Sequence, residues 1–363
     1  MTTPVVTAPF ALAGRRLLLL ADGRFSAADG KTAVCVAMDR PGDVVAVLDA
    51  SRAGRSVRDV LGVDCAAPVV ATIEEGLRAR PEVAVVGVAP TGGVLEAGDR
   101  AVVAACLRAG VDVVSGLHVF LEDDAELRAL ALASGARIWD VRRVPEARLV
   151  STGAGCNTGA SVVLTVGSDC GAGKMTVALE LARAAKGRGL RAAWAATGQT
   201  GIILRGRGVP VDRVVADFVG GATEALVNLE GDAMDVVFVE GQGALMHPGY
   251  GAVMLGLLYG SMPDAMVLVH APGRTRYKRF TIPIPPLAEI IAGYEAMMRP
   301  YKRSRVVALA LNTAALGEPD AHRAIEAARQ ETGLPATDAV RFGAGFLLDA
   351  LRDTGAIPSG SDA

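Results

Sequence analysis

Val162-Val-Leu-Thr-Val-Gly-Ser-Asp-Cys-Gly-Ala-Gly-Lys-Met-Thr176 is the stretch from which the fold is read. A β-branched run enters a glycine-rich loop, a lysine follows, and Val177-Ala-Leu-Glu-Leu-Ala182 continues as a helix. That order makes a phosphate cradle. Glycines let the backbone curl so that N–H groups converge, the helix N-terminus adds its positive dipole end, and the lysine adds a full charge. The spacing departs from Gly-x-x-x-x-Gly-Lys-[Ser/Thr]. Ser168 stands at the first glycine, with Gly167 one residue earlier, and Met175 stands at the hydroxyl position, with Thr176 after it. A thioether is a poor Mg²⁺ ligand, so the pattern predicts a phosphate-bearing ligand more firmly than a hydrolysable triphosphate. The expected phosphate contacts are Gly167, Ser168, Asp169, Cys170, Gly171, Ala172, Gly173, Lys174, Met175 and Thr176.

Other segments end where such a ligand would sit. Asp235-Val-Val-Phe-Val-Glu-Gly-Gln-Gly-Ala-Leu-Met-His-Pro248 is a strand with Glu240 at its carboxyl end, the side on which open α/β sheets bind ligands. Glu240 and His247 are candidate proton carriers, each with a plain alternative, a capping carboxylate and a loop histidine. Gln242, Thr197, Gln199 and Thr200 are candidate substrate contacts, unless Ala195-Ala-Thr-Gly-Gln-Thr-Gly201 is an ordinary turn. Asn312, ending a late strand, is placed to read a nucleotide base or to cap its own turn. Arg274, Arg276, Lys278 and Arg279 form the basic cluster, suited to a carboxylate or an extra phosphate, or simply solvated.

Working outward, short apolar strands alternate with helical patterns along most of the 363 residues. In the first half strands are expected at Arg16–Ala21, Ala33–Met38, Val44–Leu48, Val83–Val88, Val111–Ser115 and Arg137–Val141. Helices are expected at Ile73–Ala79, Asp99–Ala109 and Asp124–Ser134, with Thr72 and Glu75 spaced as a capping box. In the second half strands are expected at Val162–Val166, Ala192–Ala196, Val236–Val239, Ala265–Val269 and Val306–Leu311. Helices are expected there at Lys174–Lys186, Val211–Val227, Pro286–Met297, Pro319–Glu331 and Phe346–Leu351. Continuous Val-rich strands followed by helices mean parallel sheets covered on both faces. The fold class is therefore α/β. Residues 1–150 form a Rossmann-like parallel-sheet domain, 151–352 a P-loop NTPase-like parallel-sheet domain, and 353–363 a frayed tail. Loops at Gly87–Gly93 and Ser115–His118 carry only a weak dinucleotide signal and are expected to face the ligand of the second domain.

Composition narrows the function. Hydrophobic residues make up 51% and charged residues 21%, enough for sizeable cores. Net charge is -2 and aromatics are 4%, which argues against a nucleic-acid or anionic-membrane binder. Mean hydropathy is +0.36, yet no apolar run approaches the roughly 18 residues of a spanning helix. The start shows no basic region before an apolar core, so no signal peptide is expected. The five cysteines (Cys35, Cys65, Cys106, Cys156 and Cys170) are widely spaced, which excludes a disulfide framework or a structural zinc site and fits a reducing cytoplasm. The apolar surplus also points to a homo-oligomer.

Gly-Ser-Asp-Cys-Gly-Ala-Gly-Lys-Met-Thr, Ala-Thr-Gly-Gln-Thr-Gly and Val-Glu-Gly-Gln-Gly with His-Pro together resemble a bacterial P-loop family exemplified by D-glutamate N-acetyltransferase. The resemblance covers nearly the whole chain, and Met175 belongs to that family's own pattern. It implies that Gly167, Asp169, Gly171, Gly173, Lys174 and Thr176 hold the phosphates of acetyl-CoA. It also implies that Glu240 or His247 deprotonates the substrate ammonium, and that Arg274 holds an amino-acid carboxylate. More distantly the loop and Val-Glu-Gly-x-Gly look like dethiobiotin synthetase, an ATP- and Mg²⁺-using ligase with threonine where this chain has Met175. Three readings follow. The first is an acetyl-CoA-dependent N-acyltransferase for an acidic amino acid, needing no metal. The second is an ATP/Mg²⁺ ligase or kinase with Thr176, Asp169 and Glu240 near the metal. The third is a nucleotide sensor.

Overall fold

A computed structural model describes residues 3–26, 29–88, 93 and 95–359. The chain divides into two compact units, one of residues 6–144 with 199–207, the other of 1–5, 145–198 and 208–363. The strands are β1 Val6–Thr7, β2 Leu17–Leu20, β3 Val44–Leu48, β4 Val69–Val70, β5 Val83–Val86, β6 Asp112–Ser115 and β7 Ile138–Asp140, followed by β8 Ser161–Gly167, β9 Ala192–Ala195, β10 Arg207–Gly208, β11 Val236–Val239, β12 Ala265–His270, β13 Arg305–Leu311 and β14 Ala336–Thr337. β1 and β10 pair as a separate two-stranded ribbon.

The first unit is built on a six-stranded sheet in the order β4-β3-β2-β5-β6-β7, parallel throughout. Its central strand, Leu-Leu-Leu-Leu, is buried on both faces, as a parallel sheet covered by helices demands. The stretch expected as a strand at Ala33–Met38 is instead a helix, Lys31–Asp39. β2 and β3 are parallel neighbours, so the chain between them must cross over, and this helix is the crossover. Thr32, Ala33, Val34, Val36 and Ala37 are buried, so topology overrides the strand-like Val/Cys pattern. The Thr72–Glu75 capping box forms as expected, and Ser56 with Asp59 makes a second.

The second unit holds another six-stranded parallel sheet, β14-β13-β12-β8-β11-β9. β8 lies between β12 and β11, with Val163 opposite Ala265 on one side and Phe238 on the other. The loop leaving β8 therefore emerges at the middle of the sheet's carboxyl edge. The helix expected over Val211–Val227 is two short 3₁₀ turns, Val211–Arg213 and Ala216–Phe218, and then a helix at Val219–Gly231. A helix at Gly251–Ser261 escapes the sequence reading because its glycines resemble a loop. They serve close packing. A Cβ on Gly260 would lie 2.2 Å from the Gly220 carbonyl oxygen of the neighbouring helix. The final helix runs from Gly345 to Asp353, and Ile357 beyond it is buried, so the tail is tied down at least that far; 360–363 lie outside the described residues. So do 89–92 of the Gly87–Gly93 loop. All five cysteines are free thiols. Among the described residues no helix is long and apolar enough to cross a membrane.

Asp140, at the end of β7, accepts N–H bonds from Leu121 and Glu122, but burial outweighs them and raises its carboxyl to about 6. The folded state thus holds this proton more tightly than the unfolded chain. The resulting stabilisation is complete below the ordinary carboxyl pKa and is lost as pH rises through about 6. Denaturant titrations should show wild type gaining up to about 2 kcal/mol relative to Asp140→Asn between pH 7.5 and pH 4. Parallel pH profiles would contradict this.

Candidate functional site

β8 ends at Gly167, and the helix Lys174–Gly187 starts after Gly173, whose φ of +116° only glycine adopts freely. No side chain caps this helix, so its first-turn N–H groups, which have no intrahelical acceptor, face the loop's concavity. Lys174 is 5% exposed and folds back across the loop, its Nζ donating to the Asp169 carbonyl at 2.9 Å. Ala172 and Met175 are buried, so these positions offer a ligand main-chain N–H groups and not their side chains. Thr165, a polar residue within β8, binds the loop to the next strand end. Its Oγ1 donates within reach of the Lys174 and Val239 carbonyl oxygens at 3.2 Å and accepts the Gly241 N–H at 3.0 Å. Gly241 has no room for a side chain, since a Cβ would sit 1.8 Å from the Thr165 carbonyl oxygen.

A carboxylate inside this loop is neutralised in place. Asp169, 1% exposed, accepts from the Cys170 N–H at 2.7 Å, from Arg274 Nη1 at 2.8 Å and from the Lys278 N–H at 3.0 Å. Arg274 Nη1 also lies 2.6 Å from the Cys170 carbonyl oxygen. Arg274, which the resemblance assigns to a substrate carboxylate, thus has its Nη1 turned to the loop's own carboxylate. A charge buried in the loop needs an answering charge, and Arg274 supplies it. Ser168 Oγ lies 2.8 Å from His270 Nδ1, and burial lowers the His270 pKa, with Glu331 pulling the other way. Tyr294 is fully buried. Its Oη donates to the Gly167 carbonyl at 2.8 Å and accepts from the Leu245 N–H at 2.9 Å, joining the phosphate loop to the segment after β11.

Glu240, 1% exposed, accepts the Thr197 N–H on Oε2 at 3.2 Å and Gln242 Nε2 on Oε1 at 2.7 Å, and Thr197 Oγ1 donates to the Glu240 carbonyl oxygen. His247 is buried against the rings of Tyr250, Tyr277 and Phe280. Its Nδ1 accepts from the Gly249 N–H at 3.1 Å, which assigns the proton to Nε2, 3.6 Å from Asp169 Oδ1. Asp169, Cys170 and His247 offer atoms within 4.8 Å of one another, the spacing of a metal site. Their chemistry does not fit one. Burial raises the Cys170 thiol pKa despite the charges of Lys174, Lys278 and Arg274, His247 Nε2 carries its proton, and those three cations favour an anion.

Gln242 and Thr197 thus gather at Glu240 as expected. Gln199 and Thr200 open the helix Gln199–Arg205, which groups with residues 6–144, where Thr200 Oγ1 pairs with Thr32 Oγ1 at 2.8 Å and Gln199 Oε1 accepts from Arg142 at 2.9 Å. Asn312 lies beside the loop, its Nδ2 3.6 Å from where a Gly173 Cβ would sit, while its Oδ1 accepts the Ala314 N–H at 3.2 Å. Tyr294 was missed, since a tyrosine in an amphipathic helix carries no local signal. Thr165 was missed too, although a threonine inside an apolar strand is such a signal. In the first unit Asp49, at the end of β3, accepts the N–H groups of Gly23, Phe25 and Ser51, so the carboxylate position that reads a ribose in dinucleotide folds is spent on its own loops.

Sheet order, loop and lysine define a two-part α/β protein with a P-loop in its second part. Residues 149–348 match the P-loop domain of the DUF1611 family, described as a domain of unknown function, and residues 50–144 match that family's Rossmann-like N-terminal domain. The chain belongs to the DUF1611 family. It is 38% identical over 283 residues to the D-glutamate N-acetyltransferase of Tritonibacter scottomollicae, covering 77% of this chain and 84% of that one. It is 35% identical over 270 residues to the enzyme of the same name from a Pseudoalteromonas species, covering 74% and 80%. A crystal structure of a DUF1611 family protein from Anabaena variabilis superposes with a TM-score of 0.90 at 41% identity, over 94% of this chain and all of that one.

Tyr294→Phe should cost about 2 kcal/mol of stability, because the Leu245 and Gly167 N–H groups lose a buried acceptor. Denaturant unfolding at neutral pH measures it, and an unchanged midpoint would remove the tyrosine strut.

Proposed function

We propose that this protein is an N-acetyltransferase that moves acetyl from acetyl-CoA to the amino group of an acidic amino acid, with D-glutamate the first candidate. The relatives named D-glutamate N-acetyltransferase support the reaction class. The observation that carries the reading is a phosphate loop whose own carboxylate, Asp169, is already committed to three N–H donors. Such a loop suits a ligand that is held by its phosphates and reacts elsewhere. CoA is one, with a pyrophosphate and a 3′-phosphate on adenosine and its thioester at the far end. Asn312, beside the loop, is the proposed contact for the adenine.

Glu240 is the proposed base. It closes β11 beside the loop, and its two oxygens accept the Thr197 N–H and the Gln242 Nε2 donor, which fix the carboxylate in place. His247 Nε2 carries the proton of its ring and is therefore not the acceptor such a step needs. The reaction balances without a metal. Glu240 takes one proton from the substrate ammonium, and the freed nitrogen bonds to the thioester carbonyl carbon. The C–S bond then breaks, and the departing thiolate takes the second proton the nitrogen loses.

Free-thiol release from acetyl-CoA, followed with D- and L-glutamate in the presence and absence of EDTA, tests this. Activity with D-glutamate that is indifferent to EDTA is expected; turnover that requires ATP and Mg²⁺ would replace the reading with the ligase. In the same assay Glu240→Gln should lower kcat by about a hundredfold or more with acetyl-CoA affinity retained. Full activity would remove Glu240 as the base.

A further inference from the structure

The basic cluster is a hairpin, and the structure divides its charges between two tasks. The Tyr277 N–H donates to the Ile282 carbonyl and the Ile284 N–H to the Thr275 carbonyl, both at 3.0 Å, with Arg279 in a left-handed turn position at φ +69°. Its main chain is latched to the phosphate loop. The Lys278 N–H and Arg274 Nη1 both reach Asp169 Oδ2, and the buried Tyr277 ring packs edge-on to His247 at 5.4 Å. Arg274 Nη1 is thereby turned inward.

Lys278 is not. Its side chain is exposed and turns back over the loop, with Nζ 3.8 Å from where a Cβ would stand on Gly171. No described residue forms an ion pair with it. Lys174 stands at the other end of the same loop, its Nζ 2.7 Å from where a Gly167 Cβ would be. Two ammonium groups therefore flank one loop between Gly167 and Gly171, one buried beneath its start and one exposed at its crown. A single phosphoryl group needs one of them; a diphosphate presents charge to both.

We infer that Lys278 is a second phosphate-binding lysine and that the loop with its hairpin takes a diphosphate ester, not a monophosphate or a carboxylate. The inference rests on the phosphate-binding reading of the loop given above, and deepens it by naming the ligand class. The main-chain latch to Asp169 survives truncation of the side chain, so Lys278→Ala tests the ammonium and not the hairpin.

Calorimetric titration with inorganic pyrophosphate, inorganic phosphate and CoA provides the test, on wild type, Lys278→Ala, Lys278→Arg and, as a distant charge control, Arg323→Ala. Wild type should prefer pyrophosphate to phosphate. Lys278→Ala should weaken pyrophosphate and CoA about tenfold, Lys278→Arg should recover most of the loss, and Arg323→Ala should bind as wild type. Equal affinity of Lys278→Ala and wild type for pyrophosphate would overturn the inference, as would an equal loss in Arg323→Ala or no pyrophosphate binding at all. A Lys278-dependent pyrophosphate site on a protein that fails to bind CoA would uphold the inference and defeat the acetyl-CoA reading instead.

Discussion

A carboxylate buried in a loop that gathers positive potential must be answered locally, and much of this site follows from how Asp169 is answered. Its partners are one backbone N–H of its own loop and two donors from a hairpin more than a hundred residues away. Leaving such a charge unpaired costs about 3–5 kcal/mol. The pairing therefore holds the hairpin on the loop, engages Nη1 of Arg274, and leaves Lys278 over the crown. It also directs His247, whose proton-bearing Nε2 faces the same carboxylate. A buried anion here works as a fastener between the loop and the hairpin.

The same economy runs through the strand ends. Thr165 joins the loop to the turn after β11, and Tyr294 joins Gly167 to Leu245 from a third element. Both bind main-chain groups through a side-chain hydroxyl, so the turn that follows Glu240 is tied to the phosphate loop by buried hydrogen bonds.

The parts legible in the sequence are those whose signal is local. A strand, a glycine loop, Lys174 and a helix occur in one run of residues, and Glu240 closes a strand; both sheets were likewise visible as Val-rich runs. The parts that were not legible depend on distant partners. Whether Arg274 points to a substrate or to Asp169 is decided by residues far apart in the chain. Gln199 and Thr200 look like crevice residues because small polar groups after a strand read the same whether they line a site or begin a helix that packs elsewhere. Ala33–Met38 has strand composition, yet the parallel pairing of β2 with β3 requires a crossover there. Tyr294 differs from any helical core tyrosine only in what its hydroxyl meets.

The central claim is that residues 167–176 bind the phosphates of an acyl-CoA without help from a metal. Titration of the purified protein with acetyl-CoA, and separately with ATP plus Mg²⁺, tests it most directly. The account predicts acetyl-CoA binding that is unchanged by EDTA. Metal-dependent ATP binding with no affinity for acetyl-CoA would contradict it.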